Sequence, residues 1–235
     1  MKYDCVISGT FIDRPNRFIA NVRIQGEGNE PDSDPVVRAH VKNTGRCREL
    51  LVRGAKVFLS VPDNPERSTK YDLIAVMKGD RLVNMDSQIP NGVAEEGLRG
   101  IPMFSGVTHI KREFTYGDSR IDIMAEDNGK RYLIEVKGVT LEDNGVVRFP
   151  DAPTERGVKH IRELVKSLKD NYIPCLLFVI QMDDVRHFEP NRSTDPAFAD
   201  ALKEAADAGV NVLAYTCTVT PDSIELKEPV EVVLT

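Results

Sequence analysis

The segment "EDNGKRYLIEVKGV", residues Glu126–Val139, joins a hairpin turn to an alternating strand. Its Asn128-Gly129 dipeptide is the strongest short hairpin signal, because a type I′ turn needs positive φ at both central residues. A two-residue loop at this dipeptide fixes the register of the hairpin. That register places Asp122, on the preceding strand, directly opposite Glu135.

Two carboxylates in directly opposed positions repel each other. Such residues have Cβ atoms about 4.5–5.5 Å apart, and carboxylates about 5 Å apart repel by about 3 kcal/mol at an effective dielectric of about 20. A fold keeps the pair if water screens it, if one group is protonated, or if a cation lies between them. Lys137 shares the face of Glu135, because strand side chains alternate with a period of two. We therefore expect Asp122, Glu135 and Lys137 to form one cluster.

This cluster suits a divalent metal. Mg²⁺ or Mn²⁺ is usually held by one or two carboxylates, with water and substrate phosphates in the remaining positions. We predict that Asp122 and Glu135 bind the metal, and that Lys137 orients the attacking water or stabilises transition-state charge. The alternative is a hairpin whose polar face is merely solvated. In either case the opposite face is expected to pack against a helix through Ile121, Ile123, Ile134 and Val136.

The chain before the hairpin is predicted to be a β-barrel. Residues 1–82 contain about five short alternating segments, among them "NRFIANVRIQG" and "PVVRAHVKN", which indicates a small closed barrel of the OB type. The first of these segments places on one face Phe18, Ala20, Val22 and Ile24. Basic side chains project from the strands and from the "NTGR" turn. We predict that these residues bind DNA: Arg23, Arg38, His40, Lys42 and Arg46.

Residues 83–235 have a different pattern, in which helices alternate with strands. The order is one helix, three strands, then helix, strand, helix and strand, which predicts an α/β domain on a mixed sheet. The three strands are the runs "GDSRIDIMAE", "RYLIEVKGV" and "GVVRFP". The chain is therefore expected to combine an OB-like barrel, residues 1–82, with an α/β domain, residues 83–235.

Cap residues mark the ends of the three predicted helices. Asn91 is expected to cap the first helix, and either Thr154 or Asp151 the second. The third helix is expected to begin after Asp195, which precedes a proline, and to end at Gly209.

Composition narrows the class of protein. The chain has 235 residues, a net charge of −6 and 41% hydrophobic residues, which is typical of a globular protein and not of a disordered one. Its longest apolar run, Cys175–Ile180, is too short to cross a bilayer. The N-terminus lacks the basic and apolar regions of a secretory signal, so we expect a cytoplasmic protein without membrane contact. The oligomeric state is left open, with a homodimer among the alternatives.

Two sets of motifs resemble known families. Asp122 followed by Glu135-x-Lys137 is similar to the signature of PD-(D/E)XK nucleases, whose core has the order αβββαβ. The blocks "IEVKGVTL" and "FPDAPTERGVKHIREL" resemble the sugar fermentation stimulation protein (SfsA) family, and the resemblance runs through nearly the whole chain. It implies an OB-like domain joined to a nuclease-like domain, DNA binding, and a link to the expression of sugar-utilisation genes. Carried over by motif, the nuclease residues are Asp122, Glu135 and Lys137.

The resemblance does not choose the remaining cleft residues. Many such nucleases use an acid on the first helix, for which the candidates are Glu95 and Glu96; Glu113 is a further candidate. Glu155 and Lys159 either approach phosphate or metal or form a surface ion pair one helical turn apart. The amide of Gln181, at the end of an apolar strand, is expected to reach the cleft. Isolation in the sequence favours ordinary surface or packing roles over metal ligation for His40, His109, His160 and His187.

These patterns predict a DNA-binding protein with a divalent-metal-dependent nuclease site. Its DNA is expected to be bound by the barrel, with single-stranded or distorted DNA among the alternatives. A first alternative function is a non-catalytic DNA-binding regulator of sugar-utilisation genes. A second is a sensor whose carboxylate cleft binds a sugar or a nucleotide. The presence of all three motif residues favours catalysis over both.

Overall fold

A closed β-barrel forms the first part of the computed structural model, which describes residues 1–25, 34–43, 45–63 and 66–234. Its strands are β1 (Val6–Asn16), β2 (Ile19–Ile24), β3 (Val36–Val41), β4 (Lys56–Ser60), β5 (Tyr71–Lys78) and β6 (Arg81–Asn84). They follow the order β3-β2-β1-β4-β5-β6, and a parallel pairing of β3 with β5 closes the barrel. The predicted OB-like barrel is therefore confirmed.

Alternation along β2 and β3 fills the barrel interior. Ala20, Val22, Ala39 and Val41 are at most 1% exposed, as the period of two requires. Phe18 was wrongly expected on this face. It lies in the turn before β2, where the alternation of the strand does not extend, and it is 43% exposed.

A mixed six-stranded sheet forms the core of the second part. Its strands are β7 (His109–Tyr116), β8 (Ser119–Asp127), β9 (Lys130–Val139), β12 (Ile173–Ile180), β14 (Asn211–Thr220) and β15 (Ser223–Pro229). The order is β15-β14-β12-β9-β8-β7, in which β12 runs parallel to both β9 and β14. The nearly continuous apolar β12 is central, as expected of a strand that is covered on both faces.

Three helices and a smaller sheet complete this part. The helices are α1 (Pro90–Gly97), α2 (Glu155–Ser167) and α3 (Pro196–Ala208), with 3₁₀ turns at Leu98–Gly100, Pro102–Phe104 and Leu168–Asp170. The smaller sheet, ordered β10-β11-β13-β16, consists of β10 (Leu141–Asp143), β11 (Val146–Phe149), β13 (His187–Pro190) and β16 (Glu231–Val232). Within the described part of the chain, no helix has the length and apolar character needed to span a membrane.

The predicted strands of the second part need two corrections. The first main-sheet strand after α1 is β7, which the sequence did not reveal, because this edge strand is largely exposed and carries little apolar alternation. The run "GVVRFP" does form β11, but β11 belongs to the smaller sheet. The three main-sheet strands between α1 and α2 are therefore β7, β8 and β9.

The hairpin turn has the predicted geometry. Asn128 and Gly129 have φ values of 46° and 84°, as a type I′ turn requires. The ladder between β8 and β9 runs from the pair Asp127 and Lys130 to the pair Ile123 and Ile134. The predicted register is thus confirmed over this stretch, which ends one position short of Asp122.

Alternation in β8 is interrupted at this point. Ile123 packs with Ile134 and Val136 against α1, as predicted for the apolar face. Ile121 does not: it belongs to the apolar cluster on the opposite side of the sheet, which includes Ile161 of α2. Two residues spaced as i and i+2 therefore face different layers, and Asp122 occupies the irregular position between them.

The helix caps are confirmed in two of three cases. Thr154 caps α2 and accepts a hydrogen bond from the Gly157 N–H at 3.0 Å. Asp195 caps α3, which ends at Gly209 in the left-handed conformation. Asn91 does not cap α1; it lies within the first turn, where Pro90 takes the initial position.

Candidate active site

Asp122 is half-buried at the point where the β8–β9 ladder ends. Its Oδ2 accepts a hydrogen bond from the Val136 N–H at 2.8 Å, and its Oδ1 accepts one from the Asn91 amide at 2.8 Å. Because Val136 directly follows Glu135 in the chain, the main-chain bond holds the Asp122 carboxylate beside Glu135. Asn91 fixes the same carboxylate from α1, which is a role that the sequence did not indicate.

Glu135 is the deepest acid of the cluster, with 1% of its surface exposed. Its Oε1 accepts from Lys137 Nζ at 2.5 Å and makes a short hydrogen bond with His160 Nδ1. Its Oε2 is buried and has no hydrogen-bond partner among the residues that the structure describes. A buried polar atom left unpaired costs free energy. A bound ligand that contacts Oε2 would remove this cost.

His160 is the functional candidate that sequence reasoning missed. It lies on the inner side of α2, is 7% exposed, and touches Glu135 across 25 residues of sequence. Arg156 Nε lies 3.4 Å from His160 Nε2 and donates to it. The available signal was its position beside Ile161 on the buried face of α2, but a position on that face does not distinguish packing from contact with an acid.

The two carboxyl groups have opposite pKa shifts. Burial raises the pKa of Asp122, and the negative charge of Glu135 raises it further. Burial also opposes ionisation of Glu135, but the hydrogen bond from His160 and the charge of Lys137 outweigh burial and lower its pKa. Glu135 is therefore the ionised member of the pair, and Asp122 is the member that more readily takes up a proton.

The three acidic residues that were candidates for the cleft form ion pairs with other residues. Glu96 contacts the N-terminal amine at 2.5 Å, and Glu113 pairs with Arg120. Glu95 best matches the predicted acid on the first helix, because it lies one turn after Asn91 on α1. Its carboxylate, however, is 3.7 Å from Arg112. The structure brings none of them into hydrogen-bond contact with Asp122 or Glu135 within its described residues.

The remaining predicted cleft residues make no hydrogen bond to Asp122 or Glu135 within the described structure. Of the two alternatives for Glu155 and Lys159, the ion pair is not formed in the described structure; Lys159 Nζ is instead 3.5 Å from the Asp118 carbonyl oxygen. Gln181 is buried, and its amide nitrogen donates to Asn84 Oδ1 at 3.1 Å and to the Asp86 carbonyl oxygen at 3.0 Å. Gln181 thus joins the main sheet to the end of the barrel, although it also lines a cavity at that junction.

The basic residues predicted on the barrel fall into two groups. Arg23, Arg38 and Arg46 are exposed, whereas Lys42 Nζ lies 2.9 Å from the fully buried Asp86. His40 Nδ1 lies 3.4 Å from Asp72, a buried acid. The charge of Lys42 is therefore paired with an internal acid, in contrast to the three exposed arginines. Of the "NTGR" turn, Thr44 lies outside the described residues.

A divalent cation fits the oxygen atoms that the site presents. The described residues contain no group of three or more His, Cys, Asp or Glu side chains arranged to hold a metal. Two carboxylates are nevertheless a usual protein contribution to a Mg²⁺ site, because water and substrate phosphate supply the other ligands. Asp122 and the unpartnered Oε2 of Glu135 provide this hard-oxygen set.

Comparison with known proteins assigns the chain to a family. Residues 88–223 match the family model "Sugar fermentation stimulation protein RE domain", and residues 12–85 match "SfsA N-terminal OB domain". The chain belongs to the SfsA family. SfsA homologues from Clostridium beijerinckii and Ruminiclostridium cellulolyticum are 52% and 51% identical to it, over 100% and 99% of both chains.

A solved SfsA structure supports the same architecture. The structure of Pyrococcus furiosus SfsA in complex with Ca²⁺ is 27% identical in sequence, with a TM-score of 0.83. The alignment covers 99% of this chain and 98% of that one. The barrel and the mixed-sheet part therefore occur together in another SfsA protein.

Proposed function

We propose that this SfsA protein binds DNA and hydrolyses phosphodiester bonds with a divalent metal held by Asp122 and Glu135. The observation that carries the proposal is the buried, unpartnered Oε2 of Glu135 beside a second carboxylate of raised pKa. A cation at this position would relieve both the unpaired oxygen and the repulsion between the acids. The Ca²⁺ in the complex of the Pyrococcus furiosus SfsA supports a divalent ion as the ligand.

Each side chain of the cluster has a separate role in this proposal. The metal, when bound, lowers the pKa of a coordinated water and neutralises charge on the phosphodiester. Asp122 and Glu135 hold it, and Val136 and Asn91 keep Asp122 in place through their hydrogen bonds. Lys137, whose Nζ is anchored on Glu135 Oε1, orients the attacking water or stabilises the developing negative charge.

The barrel is proposed to bind the nucleic acid. In the proposed division of the chain, residues 1–82 carry the exposed Arg23, Arg38 and Arg46, which suit a phosphate backbone. The exposed Phe18 ring lies 4.7 Å from the Arg17 guanidinium. An exposed aromatic ring beside a cation is the arrangement on which OB barrels stack unpaired bases, and it favours single-stranded or distorted DNA.

A cavity lies between the barrel and the second part, beside β9, the strand that carries Glu135 and Lys137. It has a volume of about 360 Å³ and is lined by barrel residues such as Asn43 and by Gly138, which directly follows Lys137. Arg14 braces the barrel side, donating to the carbonyl oxygens of Asn43, Gly45, Arg46 and Arg17. Gly45, which directly precedes Arg46, also lines this cavity, so a strand bound at Arg46 would lie close to the end of β9 at Gly138.

Cleavage of labelled single- and double-stranded oligonucleotides tests the proposal. Wild-type protein is assayed with Mg²⁺, with Mn²⁺ and with EDTA, beside the variants Asp122→Asn, Glu135→Gln and Lys137→Ala. Each variant is expected to lose about 100-fold or more of the cleavage rate while its DNA affinity changes only a few-fold. Matched controls on the exposed side of α3, Asp207→Asn and Lys203→Ala, are expected to behave as wild type.

Two results would replace this function with one of its alternatives. DNA binding without cleavage above the Asp122→Asn level, in either metal, would support a non-catalytic regulator. Binding of a sugar or nucleotide, without DNA affinity that falls steeply with salt, would support a sensor.

A further inference from the structure

Glu135 is contacted from α2 by a histidine whose own second nitrogen is also engaged. His160 Nδ1 bonds Glu135 Oε1, and Arg156 Nε lies 3.4 Å from His160 Nε2. Arg156 and His160 are one helical turn apart on α2, so they are neighbours along the helix surface. The three side chains form a chain of contacts that runs from the exposed end of α2 to the centre of the sheet.

The direction of these hydrogen bonds follows from the chemistry of arginine. A guanidinium group has only donors, so Nε2 of His160 must accept in its contact with Arg156. A neutral imidazole with an accepting Nε2 carries its proton on Nδ1. Nδ1 then donates to Glu135 Oε1, and Arg156 thereby selects the ring tautomer that Glu135 needs.

This arrangement makes the two oxygens of Glu135 unequal. Oε1 receives both Lys137 Nζ and His160 Nδ1, whereas Oε2 receives no bond from the described residues. The terminal torsion of a glutamate is broad, and the flexible Lys137 alone would follow its rotation. The rigid imidazole, fixed on a helix, holds the carboxylate so that the same oxygen stays free.

We propose that His160, oriented by Arg156, is a positioning residue that fixes Glu135 and presents its Oε2 to the metal. The inference rests on the proposed function, because it assigns a use to the free oxygen. It goes further by giving α2 a direct part in metal affinity. Partners that orient ligating side chains change metal affinity by about 10–100-fold in other proteins.

The first experiment measures Mn²⁺ binding to the full chain by isothermal titration calorimetry, without DNA. His160→Leu keeps the approximate size of the side chain and removes both nitrogens; we expect a 10–100-fold loss of affinity. His160→Asn places an amide donor near the position of Nδ1 and is expected to recover most of it. An unchanged affinity in His160→Leu would overturn the inference, as would failure of His160→Asn to exceed it.

The second experiment observes the ring itself, so that failure to fold in His160→Leu leaves the inference testable. Long-range ¹H–¹⁵N correlation spectra of the wild type are expected to show the neutral ring of His160 as the tautomer with its proton on Nδ1. Arg156→Ala is expected to give a mixture of tautomers and a smaller loss of Mn²⁺ affinity than His160→Leu. A neutral ring with its proton on Nε2 would contradict the assignment. A tautomer unchanged in Arg156→Ala would contradict the part given to Arg156.

The two proposals fail in different ways. If wild type and Asp122→Asn bind Mn²⁺ equally, or neither binds it, the proposed metal site is wrong and the positioning role falls with it. If wild type binds Mn²⁺ through Asp122 but His160→Leu binds equally well, only the positioning role is wrong.

Discussion

Replacing Lys42 separates two explanations for a basic residue on the barrel. The sequence groups Lys42 with DNA-binding cations, but its Nζ lies 2.9 Å from Asp86, a carboxylate with no exposed surface. Removing one partner of a buried ion pair costs about 3–5 kcal/mol, because the other charge is left uncompensated. Lys42→Ala is therefore expected to reduce the free energy of unfolding substantially.

The structure indicates that the stability cost of Lys42→Ala lies at the lower end of this range. The Lys42 side chain is 19% exposed, and Asp86 keeps hydrogen bonds from the Gln88 N–H at 2.9 Å and from the Tyr3 hydroxyl at 3.3 Å. Ser87 is held by the main-chain oxygen of Lys42, which an alanine retains. We therefore expect a loss of about 3 kcal/mol, which comes from the charge and not from a displaced backbone.

Urea unfolding, followed by circular dichroism, measures this loss, and Arg38→Ala is the matched control. Arg38 is exposed on β3, four residues before Lys42, so its removal should change the free energy of unfolding by less than about 0.5 kcal/mol while lowering DNA affinity. Asp86→Asn combined with Lys42→Ala should recover part of the lost stability, because no buried charge is left unpaired. If Lys42→Ala unfolds like the wild type and loses DNA affinity instead, the reasoning is refuted.

Three further predictions concern Asp122, the metal and Phe18. Because the pKa of Asp122 is raised by folding, its ionisation destabilises the metal-free fold as pH rises from the ordinary carboxyl value through the raised one. Asp122→Asn should therefore be more stable than wild type in EDTA near pH 7, and this gain should disappear in acid. Urea titrations across this pH range measure the difference in free energy of unfolding between the two proteins. A difference that does not change with pH would contradict the claim. Mn²⁺ should raise the unfolding temperature of wild type, as expected for a ligand of the native state, but not that of Glu135→Gln; equal shifts in a thermal scan would argue against the site. Phe18→Ala should weaken single-stranded DNA binding by about 1–3 kcal/mol and duplex binding less; fluorescence anisotropy that shows equal losses would remove the stacking role.

Local rules explain why part of this protein could be predicted from its sequence. The Asn128-Gly129 turn sets the hairpin register, since only positive φ at both positions satisfies the turn. Thr154 and Asp195 cap helices through side-chain contacts that span three residues. Each of these predictions depends on residues close together in the chain, and each is confirmed by the structure.

Longer-range contacts explain what the sequence did not reveal. The Asn91 amide reaches Asp122 across 31 residues, and His160 reaches Glu135 across 25. Neither contact has a periodic signature, because it depends on how α1 and α2 pack on opposite faces of the sheet. The ion pair between Lys42 and Asp86 has the same origin. Alternation along a strand predicts that a side chain points away from the barrel interior, but it does not predict which residue that side chain contacts.

The sequence by itself determined the barrel, the hairpin register and the placement of two acids and a lysine on neighbouring strands. Turn chemistry and the period of two are properties of a few consecutive residues, so they act before any packing is known. Only the tertiary structure decided which oxygen of Glu135 stays free and which cations remain available. Burial and hydrogen-bond saturation depend on every element that meets at a position, and in this protein those elements are α1, α2, the barrel and the central sheet.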